Sequence, residues 1–295
     1  MRSIKLRAPG KINLTLDVKY KRPDGYHEVE TLMQSISLWD KVVLTECNEG
    51  IHIISDSRDM PLNETNLAGK AARLIIDRFS ISSGITIEIE KNIPIAAGLA
   101  GGSTNAAAVL LGLNALWNLG LSQAGLMELG ARLGADVPFC ICGGTAVARG
   151  IGEKITQLFP LIGIWIVLVK PPFKLSAASI YQELDLTSAV SSPDWKNTYR
   201  TLRDGQFGDL HRYMGNHLEQ AAVSRHLEID EIKRALTGAG AAVSMMTGSG
   251  PAVYGIFTTK EEAEEAGRQL KSLYEQVYVV STNHRGAEII EGGSR

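Results

Sequence analysis

The sequence predicts an α+β protein built as two lobes with a cleft between them, dividing near residue 155. Three observations predict it. The chain has 295 residues, enough for one large core or two ordinary ones. Strand-like segments crowd the first half, and helical ones are interspersed without the strict alternation of a doubly wound parallel sheet. A glycine turn at Gly150–Gly152 then precedes a second set of strands and helices. The expected units are residues 1–155 and 156–295.

Taken in order, Ile12, Leu14, Leu16, Val18 and Tyr20 alternate with Asn13, Thr15, Asp17 and Lys19, the period of a half-buried strand. Arg22-Pro-Asp-Gly supplies a turn. Strands are expected at 41–46, 51–55 and 84–90, with a helix between the last two from Asn66, its N-cap, to Phe79. A helix beginning near Ser103 runs through an alanine-rich stretch to about Leu119, and Ser122 opens another that ends near Gly134. The second half reads as strands at 163–170, 241–246, 252–257 and 276–281. Helices are expected at 175–184, 209–223, 226–237 and 260–274. The polar stretch 186–200, with Ser191-Ser-Pro, reads as a loop, and the polar tail from Glu288 as disordered.

Composition removes several classes of function. Hydrophobic residues make up 44% and charged ones 21%, an ordinary globular balance. The formal net charge is -2 and no basic run occurs, so the footprint of a nucleic-acid partner is missing. Cys47, Cys140 and Cys142 form no disulfide framework and have no histidine cluster beside them, so they read as buried free thiols. The N-terminus lacks the apolar core of a secretory signal. The longest apolar run, Leu161–Val169, is far short of the ~20 residues that cross a bilayer and reads as a buried strand. A cytoplasmic protein without membrane or nucleic-acid partners is expected, as a monomer or weak homodimer.

Four segments carry chemistry. In Pro94-Ile-Ala-Ala-Gly-Leu-Ala-Gly-Gly-Ser-Thr, glycines lead directly into a helix. Such a loop can turn backbone N–H groups toward a ligand, and the helix N-terminus adds unpaired N–H groups and partial positive charge. It suits a di- or triphosphate, with Ser103 and Thr104 offering hydroxyls. The spelling is neither a P-loop, which needs a lysine here, nor a dinucleotide fingerprint. In Pro9-Gly-Lys-Ile-Asn, Lys11 and Asn13 share one strand face. In Gly134-Ala-Asp-Val-Pro, Asp136 stands beside an apolar run, where capping a helix is the plain alternative to a catalytic role. Thr247-Gly-Ser-Gly-Pro-Ala makes a glycine turn between two strands.

In this order, the four segments resemble the motifs of the GHMP (galactokinase, homoserine, mevalonate and phosphomevalonate) kinase superfamily, over nearly the whole chain. Ala8-Pro-Gly-Lys-Ile-Asn-Leu and Arg22-Pro-Asp-Gly-Tyr-His-Glu are similar to the branch acting on a cytidine-diphosphate-linked methyl-polyol. The resemblance implies the two-lobed GHMP kinase fold with its active-site cleft, ATP with Mg2+, and phosphorylation of an alcohol. For that branch the acceptor is the 2-hydroxyl, in isoprenoid synthesis.

It also implies roles for particular residues. Asp136 is the general base and Lys11 the cation that orients the alcohol. ATP is held by Pro94, Ala97, Gly98, Leu99, Ala100, Gly101, Gly102, Ser103 and Thr104, with Asn66, Leu67 and Lys91 around the adenine. Ser103 also contacts Mg2+. Substrate is met by Asn13, Tyr26, His27, Tyr181, Gly248 and Gly250, with Tyr26 and Tyr181 stacking on the cytosine. Departures are Gly10 for alanine, Thr104 for a second serine, and Ser176-Ala177 for Ser-Thr, which loses one hydroxyl. Other kinases of the superfamily, acting on homoserine or mevalonate-like alcohols, and a catalytically silent sensor are the alternatives. The first need no aromatic pair, and the second would have lost Lys11 or Asp136.

Overall fold

The alternating segment near the N-terminus is one arm of a hairpin much longer than its period suggests. In the computed structural model, which describes residues 2–184 and 192–292, β1 (Ser3–Lys21) and β2 (His27–Cys47) run antiparallel along almost their whole length. The period fades because the register shifts between Pro9 and Lys11, between Asn13 and Thr15, and between Val18 and Tyr20. Each irregularity of this kind turns the strand and re-aims its side chains. Residues 8–18 of β1 are consequently buried without interruption, polar ones included.

The hairpin organises the larger sheet. The second half of β2 pairs with β4 (Gly84–Glu90), which β3 (Ile51–Ser55) joins in parallel. The first half of β2 pairs instead with β5 (Thr145–Gly150), followed by β6 (Lys154–Gln157). Glu288–Glu291 is β11, paired with β1 at the opposite edge, so this part of the expected disordered tail is a strand. Ile289 and Ile290 are strand formers, but the polar residues around them mask the pairing.

Against one side of this sheet lie α1 (Leu67–Phe79), α2 (Gly101–Leu116), α3 (Gln123–Ala131) and α4 (Val137–Cys142). Gly112 of α2 sits so close to the sheet that a methyl group there would come within 2.5 Å of Leu44. The N-cap of α1 is Asn66, whose side chain accepts from the Ala68 N–H at 2.9 Å. Its Nδ2 donates to the Pro61 carbonyl at 2.7 Å. Replacing Asn66 with alanine is expected to cost about 1 kcal/mol, read as a lower midpoint in urea with an unchanged slope.

The smaller sheet contains β7 (Trp165–Lys170), β8 (Val243–Met246), β9 (Val253–Phe257) and β10 (Gln276–Ser281), in the order β10-β7-β9-β8. Its strands alternate between two cores. Ile166, Leu168, Tyr254 and Ile256 face Ile12, Leu14, Leu32 and Ile36 of the long hairpin. Val167, Val169, Val253 and Phe257 face the other way, toward α7 (Glu219–Arg225), α8 (Glu228–Gly238) and α9 (Lys260–Lys271). The run Leu161–Val169 is therefore a strand only from Trp165; Ile162 is 71% exposed.

Three further expectations change. The polar loop assigned to 186–200 contains α6 (Trp195–Arg203), capped by Asp194, while 185–191 lie outside the described residues. The helix expected at 209–223 is two pieces, a 3-10 turn Phe207–Arg212 and α7, separated by Asn216. Asn216 instead donates to the carbonyls of Met246 (2.9 Å) and Gly248 (2.8 Å), tying this break to the glycine turn. The helix expected at 175–184 is α5 (Ala177–Gln182).

Among the described residues, no helix is long and apolar enough to cross a membrane. All three cysteines are free, with Cys140 buried and Cys47 and Cys142 partly so.

Candidate active site

Two cavities meet at the glycine loop that precedes α2. The loop is held by its backbone. The Lys11 N–H donates to the Leu99 carbonyl at 3.1 Å, and the Ala252 N–H to the Ala97 carbonyl at 3.2 Å. It is thereby pinned between β1 and the 247–252 turn. Gly98 has φ +79°, and a methyl group there would stand 2.2 Å from the Thr247 carbonyl oxygen. Ala96 and Ala100 also take positive φ, 53° and 57°, a costly choice for residues bearing a Cβ. Ala100 occupies the N-cap of α2 and offers no side-chain cap, so the first three helical N–H groups, at Gly101, Gly102 and Ser103, have no intrahelical partner. The first bond in the ladder is from the Thr104 N–H to the Ala100 carbonyl, 2.9 Å.

The first cavity, about 330 Å3, lies over that helix end and is lined by Met60, Pro61, Thr65, Asn66, Leu67, Lys91 and residues 94–103. Of the residues expected to hold ATP, all but one line it. The exception is Thr104, which is fully buried and points away, beside Cys140, so its hydroxyl does not reach the cavity. One helical residue turns the chain by 100°, which takes Thr104 off the face that Ser103 presents.

The second cavity, about 270 Å3, adjoins the first. Its walls include Lys11, Asn13, Asp136, Tyr181 and Gly248, and it shares Gly98, Ala100 and Ser103 with the first. Lys11 is 4% exposed. Its ammonium donates to Asn13 Oδ1 at 2.7 Å and stands 3.7 Å from Asp136 Oδ2. Asn13 is fixed in turn: its Nδ2 donates to Thr31 Oγ1 (2.8 Å), its N–H to Thr247 Oγ1 (3.0 Å), and its carbonyl accepts from the Tyr254 hydroxyl (2.9 Å). A lysine has three N–H donors. Two directions are taken, leaving the third for the cavity. Asp136 occupies the N-cap position of α4 but makes no side-chain cap bond, so helix capping does not explain it. Its side chain remains about a third exposed, facing Lys11.

The aromatic residues are arranged differently from the expected Tyr26–Tyr181 pair. His27 stacks on Tyr181, with ring centroids 5.1 Å apart and planes inclined by 29°. Tyr26 is 60% exposed on the turn between β1 and β2 and lines neither cavity. Burial and the nearby charge of Lys21 hold the His27 pKa below its ordinary value. Burial, helped by the Asp136 charge, pushes the Tyr181 phenol up. Gly248 borders Lys11 and Asn13 directly, each about 3.3 Å from the position of an added Cβ. Gly250 does not; it packs on Met246 and Leu175 and shapes the turn.

Sequence reasoning missed Asp40. It is fully buried under the glycine loop and ion-paired with Lys91. In Leu38-Trp-Asp-Lys-Val, an aspartate between Trp39 and Lys41 within a largely apolar stretch was its only signal.

Comparison with known proteins places the chain in a family. Residues 66–144 match the model of the GHMP kinases N terminal domain, and 198–276 that of the GHMP kinases C terminal domain. The chain is 46% identical to the 4-diphosphocytidyl-2-C-methyl-D-erythritol kinase of Alkaliphilus oremlandii (strain OhILAs), covering 98% of this chain and 100% of that one. It is also 46% identical to the kinase of the same name from Clostridioides difficile (strain 630), over 97% of each. A crystal structure of 4-(cytidine 5'-diphospho)-2C-methyl-D-erythritol kinase superposes with a TM-score of 0.81 at 31% identity, over 95% of this chain and 99% of that one. Homoserine kinase from Cytophaga hutchinsonii ATCC 33406 shares the fold, with a TM-score of 0.74 at 21% identity over 98% of both chains.

Proposed function

The chain belongs to the GHMP kinases, and we infer that it transfers the γ-phosphoryl group of ATP to the 2-hydroxyl of 4-diphosphocytidyl-2-C-methyl-D-erythritol. The observation that carries this reading is the junction of the two cavities at Gly98, Ala100 and Ser103, with Lys11 and Asp136 on one side and the open end of α2 on the other. ATP in the first cavity would put its phosphates against the unpaired N–H groups of Gly101, Gly102 and Ser103. An alcohol in the second would meet the third donor of Lys11 and the carboxylate of Asp136.

The chemistry follows from those positions. Phosphoryl transfer has a loose transition state, so catalysis is chiefly alignment and charge balance. The acceptor oxygen bonds to phosphorus while the bond from phosphorus to the ADP oxygen breaks. The hydroxyl proton passes to the Asp136 carboxylate, which faces Lys11 across the second cavity. Lys11 holds the acceptor oxygen in line as negative charge grows on it.

The site fits Mg2+ carried on the nucleotide. The Ser103 hydroxyl is a hard oxygen donor at the cavity junction, and no cluster of three acidic or histidine ligands occurs among the described residues. That is the donor set of an ion held mainly by phosphates and water. When bound, it would neutralise charge on the β and γ oxygens. The base end of the acceptor would meet the Tyr181 side of the second cavity; His27 stacks on that ring without lining the cavity itself.

Titration calorimetry tests the reading. Purified protein should bind a non-hydrolysable ATP analogue and, separately, the cytidyl alcohol, with CMP competing only for the latter. Binding of the analogue with no binding of the alcohol would remove the acceptor assignment. Tyr181→Ala is expected to raise the KM for the alcohol about tenfold or more and leave the KM for ATP near its original value. Tyr26→Ala, on an exposed turn, should do less. Equal rises in both KM values for Tyr181→Ala would end the stacking role.

A further inference from the structure

The geometry points to Asp40 as a positioning residue for nucleotide binding, one that acts by fixing the Lys91 ammonium beneath the first turn of α2. This rests on the reading that ATP occupies the first cavity. Asp40 is 0% exposed and its carboxylate is saturated. Oδ1 accepts from the N–H groups of Asn92 and Ile93, both at 2.8 Å. Oδ2 accepts from Asn105 Nδ2 at 2.9 Å and from Lys91 Nζ. One side chain therefore ties together β2, the segment that leads into the glycine loop, and α2. The strand pairing explains how: Lys41 pairs with Glu90, which sets Asp40 beside the residue that follows β4.

Lys91 is the part of this cluster that reaches the ligand. Its ammonium lies 3.2 Å from where a Cβ on Gly101 would be, directly under the open helix end, and it lines the first cavity. Its side chain is only 5% exposed. Asp40 takes one of its three donors, and Asn105 Oδ1 at 3.3 Å takes another. The third is left for an acceptor atom of the nucleotide. A flexible lysine free to rotate would pay an ordering cost on binding, and Asp40 removes it beforehand. Asp40 does not itself line the cavity. Its effect should pass through Lys91, Asn105 and the 92–93 backbone.

The experiment is a double-mutant cycle with Asp40→Asn and Lys91→Met, read by calorimetry with a non-hydrolysable ATP analogue and, in parallel, with the cytidyl alcohol. Each single variant should weaken analogue binding about tenfold or more, with alcohol binding unchanged. The double variant should be no more than about twofold weaker than Lys91→Met alone, because the two act as one unit. Strictly additive losses, or equal losses for both ligands, would overturn the proposal and leave Asp40 a purely structural residue.

A single variant leaves an unpaired charge buried and can fail to fold. The double variant leaves none. If only it folds, a selective loss of analogue affinity supports the proposal, and wild-type affinity overturns it. Wild-type protein that bound the alcohol but no analogue would instead refute the ATP assignment itself, which keeps the two failures distinct.

Discussion

Asp136→Asn is expected to lower turnover about 100- to 10,000-fold, with thermal stability and affinity for the ATP analogue close to wild type. The amide is the same size as the carboxylate but cannot take the acceptor's proton. Stability should hold because the carboxylate caps nothing and is about a third exposed. Its ion pair with Lys11 spans 3.7 Å, and Lys11 keeps its shorter bond to Asn13 when that pair is gone. Steady-state kcat together with a melting curve separates the outcomes. Turnover within a few-fold of wild type would reduce Asp136 to an electrostatic partner of Lys11, and a collapsed melting curve would show that its role is structural.

Gly98→Ala should be the most damaging small substitution in the loop. It introduces a methyl group 2.2 Å from the Thr247 carbonyl oxygen, at φ +79°, where a side chain is already strained. Backbone must move on one side or the other. Moving the loop stretches the Ala252 to Ala97 bond; moving the turn displaces Gly248 from Lys11 and Asn13. Strain and lost contacts together are expected to cost about 3 kcal/mol. For a chain of this size the melting temperature then falls by roughly 5–10 °C. Because Gly98 lines both cavities, affinity for the ATP analogue and for the alcohol should weaken together. A variant with normal melting that lost affinity for only one ligand would contradict the shared-wall geometry.

The site was legible in the sequence wherever a local pattern was tied to a local constraint. The glycine loop runs into a helix whose open end can be read from its spelling, and Lys11 and Asn13 do share a face. Asp136 stood out as a carboxylate beside an apolar run, but spelling alone could not separate capping from catalysis. The absence of a cap bond in α4 removes the capping role. What stayed hidden depended on contacts distant in sequence. Asp40 acquires its meaning from residues 51 to 65 positions away, and nothing in Leu38-Trp-Asp-Lys-Val announces them.

For β11, Ile289 and Ile290 were a weak signal lost within a polar tail, and the pairing partner, β1, lies at the other end of the chain. For α6 the signal was present and misread: Asp194 caps a segment with Arg200 and Arg203 in its last turn, but Pro193 and the polar composition argued for a loop. Tyr26 and His27 are adjacent, so the motif could not say which ring turns inward toward Tyr181. The turn geometry decides for His27.

The most direct test is phosphorus NMR of the purified protein with ATP, Mg2+ and 4-diphosphocytidyl-2-C-methyl-D-erythritol. The predicted result is one new phosphomonoester resonance, growing in step with ADP, absent without the alcohol and nearly absent with Asp136→Asn. ATP left intact, or ADP accompanied only by inorganic phosphate, would contradict transfer between the two cavities to this alcohol.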